Sequence, residues 1–345
     1  MQKWKFFFMI LLFLPVCVTA QTGGRGVFPF LNNNASARSA ALGGNMLAID
    51  DNDLSLAIMN PSLINSAMNN NFTLNYTDFY SNIKSGFAAY SHTFDKAGCF
   101  AMGLQFVNYG NFIATNDNGD QMGSFGAGEY AASLGWGRRL DTAFSIGADL
   151  KFVYSSFDIY NSFGIVADVA ATYHSDNNTD ISFLVRNIGR ELKSYESGYE
   201  RTVPIEIQLG ISRKLEHLPL RYSLLLHDLQ RWDLRYNDPS LNTSDPLTGE
   251  PVKQDKLMNI LDEGFRHVIL GFELMPVNHF VLRVGYNPQL RKELKLDSKS
   301  STVGFSWGFG IRIKKISIDY ARSTWHLNGS PNYITISANL SEFFK

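Results

Sequence analysis

The segment Thr302–Ile313, TVGFSWGFGIRI, alternates between two kinds of side chain. Every second residue from Val303 to Ile313 is large and apolar, and the residues between them are Gly, Ser or Arg. Successive side chains of a β-strand point to opposite faces, so the pattern predicts a strand with one apolar and one polar face. The apolar face would meet either the core of a soluble β-sandwich or the lipid around a membrane barrel, and the alternation is the same in both.

The same period-two pattern begins at Asn71 and recurs to the C-terminus. It predicts about fourteen strands, and an even number is what bacterial single-chain barrels have. The candidate strands lie near residues 71–79, 83–94, 98–109, 128–140, 142–157, 163–174, 180–187, 203–215, 220–229, 265–275, 280–287, 301–313, 315–322 and 333–341.

Connection lengths separate the sandwich from the barrel. The predicted connections after even-numbered strands are short, whereas four after odd-numbered strands are long: Gly110–Ala127, Ile188–Thr202, Gln230–Gly264 and Pro288–Ser300. Outer-membrane barrels have short periplasmic turns and long outer loops, and a Greek-key sandwich has no reason to alternate in this way. We therefore predict an all-β fold, a transmembrane antiparallel β-barrel of about 14 strands over residues 71–345, in the bacterial outer membrane with its long loops outside. A secreted sandwich is the alternative.

Residues 1–20 have the pattern of a secretory signal peptide. Lys3 and Lys5 are the positive region, Phe6–Leu14 is the apolar region, and Val18–Ala20 is a small-residue cleavage site. The apolar run is too short to span a bilayer well.

The mature chain would then begin at Gln21. Cys17 raises the alternative of a lipoprotein, which Val16 disfavours because a small residue is usual before a lipidated cysteine. After cleavage Cys99 would be the remaining cysteine, so an intrachain disulfide is not expected.

Residues 21–70 are predicted to form an N-terminal leader and a plug (hatch). The stretch Ala35–Ile64 is rich in small residues and contains Gly43-Gly44, the acidic cluster Asp50–Asp53 and the turn signal Asn60-Pro61. Small residues allow close backbone approach, and Gly and Asn-Pro punctuate short helices and turns. We expect this stretch to be compact, with the later strands closing around it.

Composition and motifs argue against an enzyme. The 345 residues carry a net charge of -1, which gives no reason to expect nucleic acid as a partner. Gly304–Gly308 matches G-x-S-x-G, but that motif requires a strand-to-helix turn and Ser306 lies mid-strand. The histidines have no metal-ligand spacing, and no cofactor is expected. Asn116–Asp120 and Asp50–Asp53 could suggest calcium, but solvated turns or helix caps explain them better.

Charged residues on the polar faces allow two interpretations. They could line a conduction path, or form a satisfied polar network around the plug, and the second is favoured because buried charges need partners. These residues are Asp149, Lys151, Glu206, His227, Glu273, Arg283, Arg312 and Asp319.

The longest connection, Gln230–Gly264, contains Arg231, Trp232 and Tyr236. Polar loops of this kind are commonly only solvated. However, Trp, Tyr and Arg are the usual anchors of protein interfaces, so the three residues are candidates for partner binding. Both interpretations stay open.

The plug stretch resembles the hatch of FadL-like outer-membrane barrels. The resemblance is carried by Ala35–Gly44, Asp50-Asp51 and Asn60-Pro61. More specifically, the chain resembles the PorQ family of the type IX secretion system. The matching segments are Gln21–Phe28, Phe106–Tyr109, Glu129-Tyr130, Asn187–Gly189 and Asp319–Ser323.

This resemblance implies a non-enzymatic barrel in the surface attachment complex that processes and attaches secreted cargo. Its implied partners are PorZ-like, PorU-like and PorV-like proteins, together with outer-membrane lipid. The alternative is a FadL-like transporter of hydrophobic small molecules, which would need an apolar path. The polar faces listed above disfavour such a path. An outer-membrane lipase has only the Ser306 motif behind it.

Overall fold

Fourteen antiparallel strands close into one barrel within the part of the chain that the structure describes. The computed structural model describes residues 26–196, 198–199, 201–235, 256–295, 301–326 and 329–343. Each strand pairs with its sequence neighbours, and β1 pairs with β14, from Asn71 opposite Asn339 to Asp78 opposite Asn332. The strands are β1 (Asn71–Asp78), β2 (Lys84–Phe94), β3 (Gly98–Thr115), β4 (Gln121–Arg139), β5 (Phe144–Phe157), β6 (Tyr160–Ser175), β7 (Thr179–Lys193), β8 (Glu206–Lys214), β9 (Leu220–Leu226), β10 (Val268–Val277), β11 (Phe280–Tyr286), β12 (Phe305–Ile313), β13 (Ile316–Ser323) and β14 (Asn332–Asn339).

Short helices precede the barrel and occupy two of its connections. The α-helices are α1 (Ala37–Ala41), α2 (Leu54–Ala57), α3 (Lys256–Arg266) and α4 (Pro288–Leu294). Single 3₁₀ turns span Pro29–Asn32, Pro61–Leu63, Ser66–Met68 and Leu340–Glu342. Among the described helices, none is long and apolar enough to cross a membrane.

The connections differ between the two ends of the barrel. Those that follow even-numbered strands are short, at 95–97, 140–143, 176–178, 215–219, 278–279 and 314–315. Those that follow odd-numbered strands include the long segments 194–205, 227–267 and 287–304. We call the two ends the short-turn end and the loop end. The closed barrel confirms the predicted fold and excludes the sandwich.

One predicted loop is instead an extended hairpin. β3 runs to Thr115 and β4 begins at Gln121, so Gly110–Ala127 is mostly strand. Phe112 and Phe125 stack across the hairpin with ring centroids 5.4 Å apart. At its tip, the Asn116 side-chain oxygen accepts hydrogen bonds from two backbone N–H groups of the turn. The tip is therefore the hydrogen-bonded turn that its sequence favours.

Other predicted loops also contain regular structure. β7 continues to Lys193, into the predicted loop Ile188–Thr202. Helix α3 occupies the end of the longest connection, and α4 lies in Pro288–Ser300. Alternation stops before these strands end, which is why their boundaries could not be placed from the pattern.

Strand β12 shows how the two faces are used. Phe305 and Trp307 point outward and are 45% and 48% exposed, whereas Ser306 points inward and is 2% exposed. Val303, predicted to share the outward face, is buried instead. The strand begins only at Phe305, and Gly304 turns the chain with φ +86°, so the alternation does not extend back to Val303.

The segment before β1 fills the barrel as a plug. Helix α1 packs against β11 to β14, and the Pro61–Leu63 turn packs against β4, β5 and β6. Glycines in the wall allow this approach. A Cβ at Gly147 would lie 2.2 Å from the Pro61 carbonyl carbon, and one at Gly285 would lie 2.1 Å from that of Leu42. No other residue fits at these two positions without displacing backbone.

Side-chain caps hold the plug turns in place. Asp53 accepts a hydrogen bond from the Ser55 N–H at the start of α2 (2.9 Å), and Asn60 accepts one from the Ser62 N–H (3.2 Å). These caps satisfy N–H groups that helix starts leave unpaired. For Asp53 the structure thus supports a cap in place of a calcium ligand.

Candidate functional site

An aromatic cavity of about 620 Å³ opens at the loop end of the barrel. Strand ends β3 to β6, the connection after β7 and the start of the plug bring its walls together. Its aromatic lining residues are Phe28, Tyr109, Phe157, Tyr160, Tyr195 and Tyr199. The volume is in the range of small-molecule pockets, and aromatic side chains with a few polar groups are their usual lining.

Three of the rings form a connected wall. The ring centroids of Tyr109 and Phe157 are 5.6 Å apart, and those of Phe157 and Tyr195 are 5.9 Å apart. Tilted pairs at these distances are favourable aromatic arrangements. A flat apolar ligand could extend the same stack.

The buried polar groups behind the aromatic wall are engaged with one another, and the exposed residues Glu196 and Arg201 complete the lining. Glu129 is 2% exposed, accepts a hydrogen bond from the Tyr109 hydroxyl at 2.5 Å and another from the Ser155 hydroxyl at 3.2 Å. The Tyr195 hydroxyl donates to the Ser155 oxygen at 2.6 Å. Burial raises the pKa of Tyr195, and the nearby carboxylates of Glu129 and Glu191 raise it further, although the Ser155 hydrogen bond opposes this. The hydroxyl therefore stays protonated, and the wall presents mainly ring surface.

Plug residues close the cavity towards the barrel interior. Val27 and Phe28 line it and belong to an apolar cluster with Val153, Val166 and others. The Val27 N–H donates to the Thr202 carbonyl, which ties this part of the plug to the connection after β7. Any movement of the plug here would change the cavity.

A polar cavity of about 510 Å³ lies at the short-turn end. It borders a charge network in which plug residues Arg38, Asp51 and Asp53 meet wall residues Arg221, Glu273, Arg283 and Asp319. All of these residues except Arg221 line the cavity. Three guanidinium groups thus face four carboxylates across the boundary between plug and wall.

Arg38 is the centre of the charge network. Its Nε and Nη2 contact the two oxygens of Glu273 at 2.9 and 2.8 Å, and its Nη1 lies 2.9 Å from Asp53. Burial by itself would raise the pKa of Asp51, but the guanidinium groups of Arg38 and Arg221 outweigh it and lower that pKa to about 2. This arrangement agrees with the interpretation of a satisfied polar network around the plug.

Solved structures of toluene transporters have the same fold. The toluene transporter TbuX of Ralstonia pickettii matches with a TM-score of 0.53 and 14% identity, over 90% of this chain and 99% of TbuX. The toluene transporter TodX of Pseudomonas putida matches with a TM-score of 0.52 and 13% identity, over 89% of this chain and 96% of TodX. A FadL homologue of Pseudomonas aeruginosa is more distant, with a TM-score of 0.46 and 11% identity, over 89% of this chain and 98% of its own.

The chain shares the barrel fold of TbuX and TodX. At such low identity the likeness concerns architecture alone. No protein-family model matches the sequence, and no curated protein is significantly similar to it.

The partner-binding residues predicted from sequence lie away from the aromatic cavity. Trp232 is 62% exposed in the connection after β9, and its ring stacks on His267 with centroids 5.5 Å apart. The Arg231 Nε donates to the Asp233 carbonyl at 2.8 Å. Tyr236 lies outside the described residues. Their role stays a prediction.

Most of the other predicted sites make ordinary contacts, although both carboxylate oxygens of Asp149 are buried without a hydrogen-bond partner among the described residues. Ser306, the second residue of β12, donates to the Ala41 carbonyl at 3.1 Å. Lys151 pairs with Asp168 and lies 3.7 Å from Asp149. Arg312, assigned to a lumen-facing position, lines the polar cavity and is exposed at the short-turn end of its strand.

One cluster could hold a metal ion by its residue types. Ligand atoms of Glu206, His227 and Asp228 lie within 4.8 Å of one another. However, Arg186 approaches Glu206 at 4.0 Å, and His227 Nδ1 is 3.0 Å from an Asp228 oxygen. A guanidinium beside a ligand carboxylate opposes cation binding, so this group fits a hydrogen-bonded cluster better than a metal site.

The aromatic cavity was missed by sequence reasoning. Tyr109 and Glu129 fall in segments that carry the family resemblance, but no role could be assigned to them. The expected absence of an apolar path rested on the mid-strand polar faces. The cavity is built from strand ends, a connection and the plug, which those faces do not sample. Tyrosines repeated at the loop end of β3, β6 and β7 were the available signal.

Proposed function

We propose that this protein is an outer-membrane channel that admits small hydrophobic molecules, preferably aromatic ones, through the aromatic cavity. The observation that carries the proposal is the wall of Tyr109, Phe157 and Tyr195, with its polar atoms satisfied internally. An apolar ring entering this space leaves no buried polar group unpaired, which would otherwise be costly.

The structural neighbours support this function over partner anchoring. Two of them are toluene transporters by name, and each spans nearly the full length of this barrel. In the structure the plug separates the aromatic cavity from the polar cavity. We infer a route in which the ligand binds at the loop end and passes when the plug shifts.

The test is binding and uptake of toluene by the purified barrel. Phe157→Ala combined with Tyr195→Ala should weaken toluene binding about tenfold or more, because each aromatic contact contributes about 0.5–1.5 kcal/mol. Phe112→Ala combined with Phe125→Ala is the matched control, since that stacked pair lies on the hairpin outside the cavity. Binding is measured by saturation-transfer NMR in detergent and uptake in proteoliposomes.

Equal toluene affinity in the two double variants would reject the cavity as the binding site. Toluene binding without uptake by wild-type proteoliposomes would reject the transport step. Heat-modifiable gel mobility shows in each case that the barrel is folded.

A second candidate function is the anchoring of a secretion partner, as the resemblance to the PorQ family implies. The feature that favours it is Trp232, a large exposed aromatic ring held in place by His267. The His267 ring also contacts the Trp232 carbonyl at 3.0 Å, so the ring is presented on an ordered backbone. Pre-ordered Trp residues are typical interface anchors.

We expect that PorZ-like, PorU-like or PorV-like proteins would be lost from the purified complex on Trp232→Ala if this candidate is right. Arg231→Ala should have a smaller effect because its guanidinium is engaged within its own loop. The measurement is co-purification from detergent-solubilised outer membranes. Phe112→Ala is the control, an exposed aromatic on the β3–β4 hairpin. Retention of all partners by Trp232→Ala would exclude this anchor.

A further inference from the structure

Helix α3 exposes its apolar residues and turns its polar residues towards the protein. A helix on the surface of a soluble protein does the reverse. Its apolar residues Met258, Ile260, Leu261 and Phe265 are all exposed, and Phe265 is 63% exposed. Met258, Leu261 and Phe265 are spaced three and four residues apart, so they form one stripe along the helix. Contiguous exposed apolar surface of this kind marks an interaction site.

The polar face of α3 fixes it to the neighbouring connections at the loop end. The Glu263 carboxylate is buried, accepts a hydrogen bond from the Leu234 N–H at 2.5 Å and lies 2.7 Å from Arg235 Nε. Asp262 lies 2.6 Å from the Lys292 ammonium of helix α4. These contacts orient the helix, and its apolar stripe faces away from the protein as a result.

We propose that α3 lies in the membrane interface at the loop end of the barrel, with its apolar stripe in contact with lipid. The helix ends at Arg266 and the chain enters β10 at Val268, with His267 between them. Outward residues of β10 include Phe272, which is exposed on the apolar band of the barrel. The stripe therefore continues a surface that already meets lipid.

Charge around the helix matches a headgroup region. Lys292 and Lys295 are exposed on and just after the neighbouring helix α4, although Lys292 also pairs with Asp262 and Glu293 beside it is exposed. Basic residues beside an apolar stripe are typical of helices that lie in a membrane interface, where they meet anionic headgroups. A binding site for a protein partner would not have to adjoin the outward apolar residues of β10, as this stripe does.

Spin-label accessibility tests the occupant of the stripe. The chain is refolded from Gln21 with Cys99→Ala, which leaves no cysteine, and Leu261→Cys or Phe265→Cys is then labelled. Phe272→Cys is the control for lipid, and Asn118→Cys, at the exposed tip of the β3–β4 hairpin, is the control for water. Power saturation compares collisions with oxygen and with a water-soluble nickel chelate, in vesicles containing anionic lipid.

The oxygen-to-nickel accessibility ratio at Leu261 and Phe265 should be close to that at Phe272 and several-fold above that at Asn118. A ratio like that at Asn118 at both positions would overturn the proposal. Low accessibility to both reagents would also overturn it, because the stripe would then be covered by protein. Heat-modifiable mobility of each labelled variant shows that the barrel is folded.

Discussion

At the scale of single residues, Arg38 joins the plug to the barrel wall more directly than any other described side chain in the charge network. It contacts both oxygens of Glu273 and reaches Asp51 and Asp53. We expect Arg38→Ala to destabilise the folded barrel by about 1.5–3 kcal/mol, the range for hydrogen bonds to charged groups. Arg38→Lys should destabilise the barrel less than Arg38→Ala does, but still measurably, because an ammonium cannot make the bidentate contact of a guanidinium. The temperature of the heat-modifiable mobility shift measures this, and an effect no larger than that of the exposed Arg138→Ala would contradict it.

Asp51 gives the attachment of the plug a pH dependence. Its pKa is lowered to about 2 in the folded protein, against about 3.9 for an ordinary aspartate. A lowered pKa contributes stability above the unfolded value and loses it as pH falls towards the folded value. The unfolding temperature should therefore be steady from about pH 8 to 5 and fall below about pH 4. Asp51→Asn should show a shallower fall, and identical pH profiles would refute this role.

At the scale of elements, β12 separates a lipid face from a plug face. Phe309 lies at the middle of the strand on the outward side, where a lysine costs about 2–4 kcal/mol at the bilayer midplane. A wet lumen would tolerate Ser306→Lys, but Ser306 is buried against the Ala41 carbonyl, so we expect that change to impair assembly as well. Arg312→Lys, at the exposed end of the strand, is the control. The measurement is the folding yield of Phe309→Lys, Ser306→Lys and Arg312→Lys. A yield for Ser306→Lys as high as that of the control would mean that the plug does not fill this part of the barrel.

Glycines in the barrel wall allow the plug to pack closely, so a larger residue there should displace it. Gly147→Val should displace the Pro61–Leu63 turn, because even a Cβ would lie 2.2 Å from backbone. Gly126→Val should not, since the nearest atom to its Cβ is a side-chain oxygen 3.7 Å away. Conductance in planar bilayers reports the seating of the plug. Leakage in the Gly147 variant is expected, and a conductance equal to that of Gly126→Val would count against close packing there.

Strands could be predicted from sequence much better than the site. Alternation sets the inward or outward direction of each side chain, and the strand predicted near 142–157 agrees with β5 to within a few residues. It fails where strands leave the bilayer, as at Thr115 and Lys193, because no lipid face then demands apolar residues. Partners in the charge network, such as Arg38 and Glu273, are 235 residues apart, and no local pattern encodes that contact.

At the scale of the whole molecule, the plug divides the barrel into two unlike compartments. The aromatic cavity at the loop end suits an apolar ligand, and the polar cavity at the short-turn end is lined by charges. A ligand would pass from one to the other only if the plug moved. The contacts of Arg38 with Glu273 and of Val27 with Thr202 are among the attachments that such a movement would break or bend.

The most direct test of this account is a crystal structure of the protein grown with bromobenzene, whose bromine can be located by anomalous scattering. The account predicts an anomalous peak within the aromatic cavity, between Tyr109, Phe157 and Tyr195. It also predicts loss of that peak in the Phe157→Ala, Tyr195→Ala double variant. A wild-type crystal at saturating bromobenzene with no peak in the cavity, or with peaks only on the lipid-facing surface, would contradict it.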